Sequence, residues 1–373
     1  MIKVYEVKTK AELKKFINFS NELYKDNPNY VPPLFFDEIE TLSKKNPSFE
    51  YCKAQYWLAY KDGKIVGRIA GIISFKYIEK WKNKYARFGW VDFIDDKQVS
   101  KALIETVEQW AKDNGMEGLH GPLGFCDLDK EGLLVEGYDE MGSIITMYHY
   151  PYYKEHFEEL GFIKDIDWLE CDITLPKDKP NKVLSTIAER TLEKYDLRLL
   201  EIKRVKDALP YVDEMFELIN TAYKNLYGVV PLTDKQKKTY TSQYISFANS
   251  DYISFAIDKN NKLAGFALVL PSLSKAVKKS NGRLLPFGFI RVLRAMKHND
   301  TLDLYLTAVR PEYRKTGVSA ICLEQLTRNA IRNGVTHAIG SPQLETNHAI
   351  HSFWRFFDDV RIHRRRRCYI KKL

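Results

Sequence analysis

Two apolar runs flank a Lys-Asp-Gly turn in "YWLAYKDGKIVGRIAGII" (Tyr56–Ile73), a pattern that predicts an antiparallel hairpin. The same layout returns in "YISFAIDKNNKLAGFALVLPS" (Tyr252–Ser272), with an Asp-Lys-Asn-Asn turn and Gly265 in the place of Gly67. After the first hairpin, "ARFGWVDFI" reads as a strand. Val99, Leu103, Val107 and Trp110 then recur close to helical spacing through "DKQVSKALIETVEQWAKDNG". Asn114-Gly115 ends that helix as a left-handed cap would, and a further strand ends in "GLHGPL". The second half repeats the order: strand "LDLYLTAV", a turn, helix "SAICLEQLTRNAIRNG" stopped by Asn333-Gly334, and strand "THAIGSPQL". Helices precede each hairpin, and an aromatic helix plus a strand closes each half.

This repetition predicts an internal duplication. The boundary falls near "LPKDKPNK", where prolines and lysines interrupt the apolar pattern, so the expected domains are residues 1–176 and 177–373. A short helix, "VLSTIAERTLEKY", bridges into the second half. The main asymmetry is an insertion near residues 274–300, which carries the apolar run "LLPFGFIRVL".

Charge and cysteine content narrow the choice of partners and compartment. The chain has 373 residues and a net charge of +9, which favours polyanionic or phosphorylated partners. From Lys275 to Lys297 there are seven Lys or Arg and no acidic residue, and the chain ends in "RIHRRRRCYIKKL". The insertion reads as a contact with a membrane surface, and its apolar run reads equally as a lid over an acyl chain. The Arg364–Arg367 run lacks the interleaved aromatics of a nucleic-acid stacking surface, so nucleic acid is not the expected partner. In alternating strand geometry some of its side chains would face substrate or phosphate and others solvent. Five scattered cysteines without a CxxC pair argue against a disulfide framework and a zinc ribbon. No signal segment and no membrane-length apolar run is evident, which makes the cytoplasm the default compartment.

The stretch between "LDLYLTAV" and the following helix carries a resemblance. Val309, Pro311, Arg314, Gly317 and Ser319 stand at the spacing V-x-P-x-x-R/Q-x-x-G-x-G/A, with Ser in place of the final Gly or Ala. In this context the chain resembles the GNAT acyltransferase superfamily. The resemblance implies an α/β (α+β) fold of two such domains, each a mixed, mostly antiparallel sheet flanked by helices. It also implies acetyl-CoA or another acyl-CoA as co-substrate and direct transfer to a small-molecule or peptide amine.

The chemistry suits such a turn. A pyrophosphate is held by backbone N–H groups at a helix N-terminus, where the helix dipole favours negative charge. Thr307, Ala308, Val309, Arg314, Lys315, Thr316, Gly317, Val318, Ser319 and Asn347 are the expected cofactor contacts. A backbone N–H around Thr307 to Val309 would serve the oxyanion. The first half has Asp95 and Asp96 at the equivalent helix start, which would repel a phosphate, so it reads as a degenerate copy. Glu345 and Tyr305 are the catalytic candidates, Glu345 as base or as a carboxylate for a cationic substrate. Glu345 reads equally as a solvated strand-end residue, and Tyr305 as an ordinary strand side chain. The family's usual acid is a Tyr whose place is held here by Phe353 or Trp354, so no acid is assigned. His348 and His351 lack a third ligand at metal spacing, and no metal is expected. The alternatives are a catalytically inert CoA- or ligand-binding protein on the same scaffold, and a basic peripheral membrane or nucleic-acid binder.

Overall fold

A computed structural model of the protein describes residues 1–373. In chain order the first half carries β1 (Ile2–Glu6), α1 (Lys10–Leu23), α2 (Phe35–Leu42), β2 (Cys52–Lys61), β3 (Lys64–Ser74), α3 (Phe75–Trp81), β4 (Tyr85–Phe93), α4 (Lys97–Asp113), β5 (Gly118–Gly121), β6 (Leu133–Glu136), α5 (Tyr152–Glu159) and β7 (Ile163–Thr174). The second half continues with α6 (Lys182–Tyr195), β8 (Arg198–Leu199), α7 (Val212–Ala222), α8 (Asp234–Phe247), β9 (Ile253–Ile257), β10 (Leu263–Pro271), α9 (Ser274–Lys279), α10 (Gly288–Lys297), β11 (Thr301–Val309), α11 (Val318–Arg332), β12 (His337–Gly340), β13 (Gln343–Leu344), α12 (His348–His351) and β14 (Asp359–Lys372). Both hairpins and both long repeat helices form where the apolar pattern places them.

The chain divides into two compact units. Met1–Leu169, Ser274–Val292 and His363–Leu373 make unit 1; Glu170–Leu273 and Leu293–Ile362 make unit 2. A single cut after residue 176 does not describe this division. Cys171, Ile173 and Leu175, from the end of the first half, are buried with Leu302 and Ala338 in the core of unit 2. Tyr369, from the end of the second half, is buried with Phe88 and Phe157 in the core of unit 1. The last strand of each half is therefore divided: Glu170–Thr174 of β7 belongs to unit 2, and His363–Lys372 of β14 to unit 1. Most of the insertion, through Val292, also belongs to unit 1.

Within unit 1 the strand order is β1-β2-β3-β4-β5-β14. Neighbours are antiparallel except β4 and β5, which run parallel from Tyr85↔Gly118 to Arg87↔His120. Unit 2 has the order β7-β12-β11-β10-β9-β8, again with one parallel pair, β11 and β12. Helix α4 lays Val99, Leu103, Val107 and Trp110 against the first sheet, and all four are buried. Helix α11 buries Val318, Ile321 and Cys322 with Ala256 and Ala264 of the second.

The arginine run has its charges satisfied inside unit 1. Arg364 donates to the Met141 carbonyl, and Arg366 donates to Met147 O at 2.5 Å; both side chains are buried. Arg365 and Arg367 face the other way, onto the buried Asp167, at 3.3 and 2.9 Å, and Arg365 also reaches Glu136 at 3.1 Å. The strand alternation was legible, but its consequence differs from the expectation of half-solvated arginines. Unpaired guanidinium groups at these depths would be costly, and carbonyls and carboxylates of unit 1 meet them. All five cysteines are buried, and none forms a disulfide.

Candidate active site

The strand β11 is irregular where chemistry was expected. It pairs with β10, but the register shifts: Leu268 faces Leu306 while Val269 faces Leu304, leaving Tyr305 as the extra residue of a bulge. On its other edge β11 runs parallel to β12 only from Thr301↔His337 to Leu304↔Gly340. Ser341 N–H donates to Leu304 O at 3.3 Å, and beyond this point the two strands part. Main-chain groups of β11 past Leu304 therefore lack a β12 partner, which is the requirement for a strand edge that takes a ligand.

Two of those groups, both of Thr307, are already engaged. The hydroxyl of Tyr223, one residue past the end of α7, donates to Thr307 O at 2.9 Å and accepts from Thr307 N–H at 3.3 Å. The Thr307 hydroxyl turns back to Phe266 O at 2.9 Å. Tyr305 and Val309 are half-buried, and Ala308 points into the core at 5% exposure.

The turn that follows is pinned by Arg310. Its guanidinium meets Asp258 at 3.1 Å, with Glu312 at 3.7 Å and Glu214 at 3.8 Å. Burial pushes the Asp258 carboxyl up, but the Lys262 and Asn260 N–H groups and Arg310 outweigh it and hold it below its ordinary value. This network fastens the end of β11 to the turn of the β9–β10 hairpin. Pro311–Tyr313 then form a single 3-10 turn, and Thr316 donates its hydroxyl to Tyr313 O at 2.7 Å.

Gly317 is the N-cap of α11 and sits at φ +106°. Any Cβ there would lie 2.4 Å from Thr191 Oγ1 and 3.1 Å from Ile187 Cγ2, both on α6. The "bridging" helix therefore packs directly on the turn, and Thr191 donates to Thr316 O at 3.1 Å. Glycine is required here by the left-handed backbone and by helix α6, besides any ligand. A glycine cap has no side chain to offer the first-turn N–H groups of α11, which have no intrahelical acceptor. Val318 is buried, Ser319 is half-buried in this first turn, and Arg314 and Lys315 are exposed beside it.

Unit 1 makes the opposite choice at the matching place. Asp96 caps α4, its carboxylate accepting from Gln98 N–H at 2.9 Å and pairing with Lys61 at 2.8 Å. The protein's own anion fills that helix N-terminus, as the acidic residues there led us to expect. The loop "GPLGFCDLDKEG" is a packed loop, with Leu123, Phe125 and Cys126 buried at 1% exposure or less.

Glu345 and Asn347 lie in the segment after β12, on the strand side that has left β11; Asn347 caps the short α12, and Glu345 is half-buried. His348 and His351 share that helical turn, and the His351 ring packs on Trp354 at 4.5 Å. The group of three ligand-type side chains within 4.8 Å of one another is elsewhere, at His120, Asp165 and Cys368.

Three residues of this arrangement escaped the sequence pattern: Tyr223, Thr191 and Arg310. Only Arg310 had a local signal, its place inside the motif. Helix α7 also walls a small apolar pocket, lined by Val205, Leu209, Met215, Ile245, Phe255 and Leu268 among others.

Two duplicated α/β units, one keeping a bare helix N-terminus beside a parting strand pair, define a tandem transferase fold. Sequence and structure comparisons agree. The description of the Acetyltransferase (GNAT) family matches residues 212–357. Protein YghO of Escherichia coli is 32% identical over 319 residues, spanning 84% of this chain and 80% of that protein. A protein of Caulobacter vibrioides named bacterial ceramide synthase is 28% identical over 299 residues, spanning 79% and 77%. A tandem GNAT protein from the clavulanic acid biosynthesis pathway superposes with a TM-score of 0.60 at 11% identity, covering 100% of this chain and 98% of its own. The chain belongs to the GNAT acetyltransferase family.

Proposed function

We propose that the chain transfers an acyl group from acyl-CoA to an amine, with the chemistry confined to unit 2. The observation that carries this reading is the contrast between the two helix N-termini. That of α4 is capped by Asp96, whereas that of α11 is capped by Gly317 and flanked by exposed Arg314 and Lys315. Backbone N–H groups and two cations suit a pyrophosphate.

In this reading the thioester lies along the open edge of β11. The amine attacks its carbonyl, the C–N bond forms, the C–S bond breaks, and the Thr307 N–H stabilises the oxyanion. Glu345 takes the proton from the amine. Tyr223 fills the role left vacant by Phe353 and Trp354, giving its phenolic proton to the departing thiolate. The name of the Caulobacter relative favours an aliphatic chain on one substrate, with a long-chain amino alcohol as the first acceptor to try.

The test is calorimetric titration of the full chain with acetyl-CoA and long-chain acyl-CoA, followed by CoA release with an amine panel. Arg314→Glu with Lys315→Glu is expected to weaken acyl-CoA binding about tenfold or more without changing the melting temperature of the free protein. Absence of binding for every acyl-CoA sinks the reading.

One observation favours the inert alternative. The Tyr223 hydroxyl already satisfies Thr307, so a protein that binds CoA without turnover would look the same at this point.

A further inference from the structure

The insertion is anchored on its inner side and uncovered on its outer side. Ser274 Oγ accepts from Ile144 N–H at 3.3 Å, the Lys278 ammonium donates to Pro28 O, and Gly282 O accepts from Phe35 N–H at 3.0 Å. Gly282 sits at φ +73°, and a Cβ there would lie 2.3 Å from Pro33 O. Val277, Gly288 and Val292 are buried. Arg291 ties α10 back to Lys279 O at 3.1 Å. These contacts fix the segment; they do not cover it.

Most of its apolar side chains from Leu285 to Leu293 point to solvent. Leu285, Phe287, Phe289, Ile290 and Leu293 are 68, 66, 43, 53 and 53% exposed. Among the described residues fifteen large hydrophobic side chains are exposed, and one third of them fall within nine positions. Phe36, next to the anchoring Phe35, is 56% exposed as well. A fixed apolar patch of this kind calls for a partner that covers it.

The charge around the patch chooses the partner. Lys275, Lys279, Arg283, Arg291, Arg294 and Lys297 are all exposed, and no acidic residue lies between Lys275 and Lys297. Aromatic and branched apolar side chains surrounded by cations suit the boundary between acyl chains and anionic headgroups. The ten-residue α10 is about 15 Å long, half of a bilayer's hydrocarbon thickness, so it would lie on the surface and not span it. Among the described residues no helix is long and apolar enough to cross a membrane.

We infer that residues 283–297 dock the protein on an anionic lipid bilayer, inserting Leu285, Phe287, Phe289 and Ile290 at the interface while the surrounding arginines and lysines meet lipid phosphates. The inference does not rest on the acyl-CoA reading and is tested without any turnover.

The experiment is flotation of the full chain with phosphatidylcholine vesicles, with and without about 30 mol% phosphatidylglycerol, at about 0.05 and 0.5 M NaCl. The protein is expected to float with the anionic vesicles and to lose binding about tenfold at the higher salt. Phe287→Ser with Ile290→Ser, and separately Arg283→Gln with Arg294→Gln, should each reduce the bound fraction about tenfold while melting temperature and acyl-CoA affinity stay at parental values. No flotation, equal flotation with neutral vesicles, or variants that float like the parent would overturn the inference. So would serine variants that float normally but convert a self-associated protein to monomer, which would make the patch an interface between copies. Displacement from vesicles by oligonucleotide with no effect of the serine pair would make it a nucleic-acid surface and overturn the inference as well.

Discussion

The phenolic hydroxyl of Tyr223 bridges both main-chain polar groups of Thr307, donating to its oxygen at 2.9 Å and accepting from its nitrogen at 3.3 Å. It occupies the strand edge that an acyl group would need, and this gives the two functional readings opposite signatures. If Tyr223 supplies the proton to the leaving thiolate, Tyr223→Phe lowers kcat about 10²-fold with little change in acyl-CoA affinity. If Tyr223 only blocks the edge, the same substitution tightens acyl-CoA binding and produces no turnover. Steady-state kinetics together with calorimetry separate the two.

Gly317 is a poor position for a clean binding variant, because helix α6 holds it. Gly317→Ala is expected to cost about 2–3 kcal/mol of stability, combining a left-handed alanine with contact to Thr191. Thr191→Ala removes one of the two clashing atoms, since Ile187 remains. In a double-mutant cycle by chemical denaturation the pair should therefore be less destabilised than the sum of the single changes. Additivity would show that α6 does not press on the turn.

Asp167 is the counter-ion that lets Arg365 and Arg367 sit in the last strand. Burial pushes its carboxyl up, but hydrogen bonds from Arg367 and Lys164 outweigh this and hold it below the ordinary range. Its contribution to stability is present above the ordinary carboxylate pKa of about 4 and is lost as pH falls through the lower folded value. Asp167→Asn is expected to cost about 3 kcal/mol at neutral pH and to flatten the acid limb of the stability profile. Denaturant titrations between about pH 3 and 7 check both.

Asp129 behaves the other way. Burial raises its pKa to about 6 even though the Cys126 and Phe125 N–H groups stabilise the charge. A carboxyl raised in the folded state adds stability below its unfolded pKa and loses it as pH climbs through the folded value. Stability should therefore fall between about pH 4 and 6, with a slope up to about 1.4 kcal/mol per pH unit for each such group. Asp129→Asn keeps an acceptor for the two N–H groups and should remove its share of that slope.

What could be read from sequence follows the range of the interactions. The hairpins, helix α4 and helix α11 rest on periodicity and turn residues within twenty positions, and they formed as expected. The motif from Val309 to Ser319 is similarly compact, so the bare N-terminus of α11 and the capped one of α4 were both legible. Tyr223 meets Thr307 across 84 positions and Thr191 meets Thr316 across 125, with no periodic signal at either end. The arginine run was visible as charge, but its meaning depended on Asp167, 200 positions before Arg367. Composition marked the insertion as unusual; only the structure assigned most of it to unit 1, through Gly282 and Phe35.

The division of the closing strands has a consequence for ancestry. A gene fragment encoding residues 177–373 would produce a second half without Cys171 and Ile173 to complete its core. It would still carry Arg364–Arg367, with Asp167 gone. After such a division neither copy is dispensable.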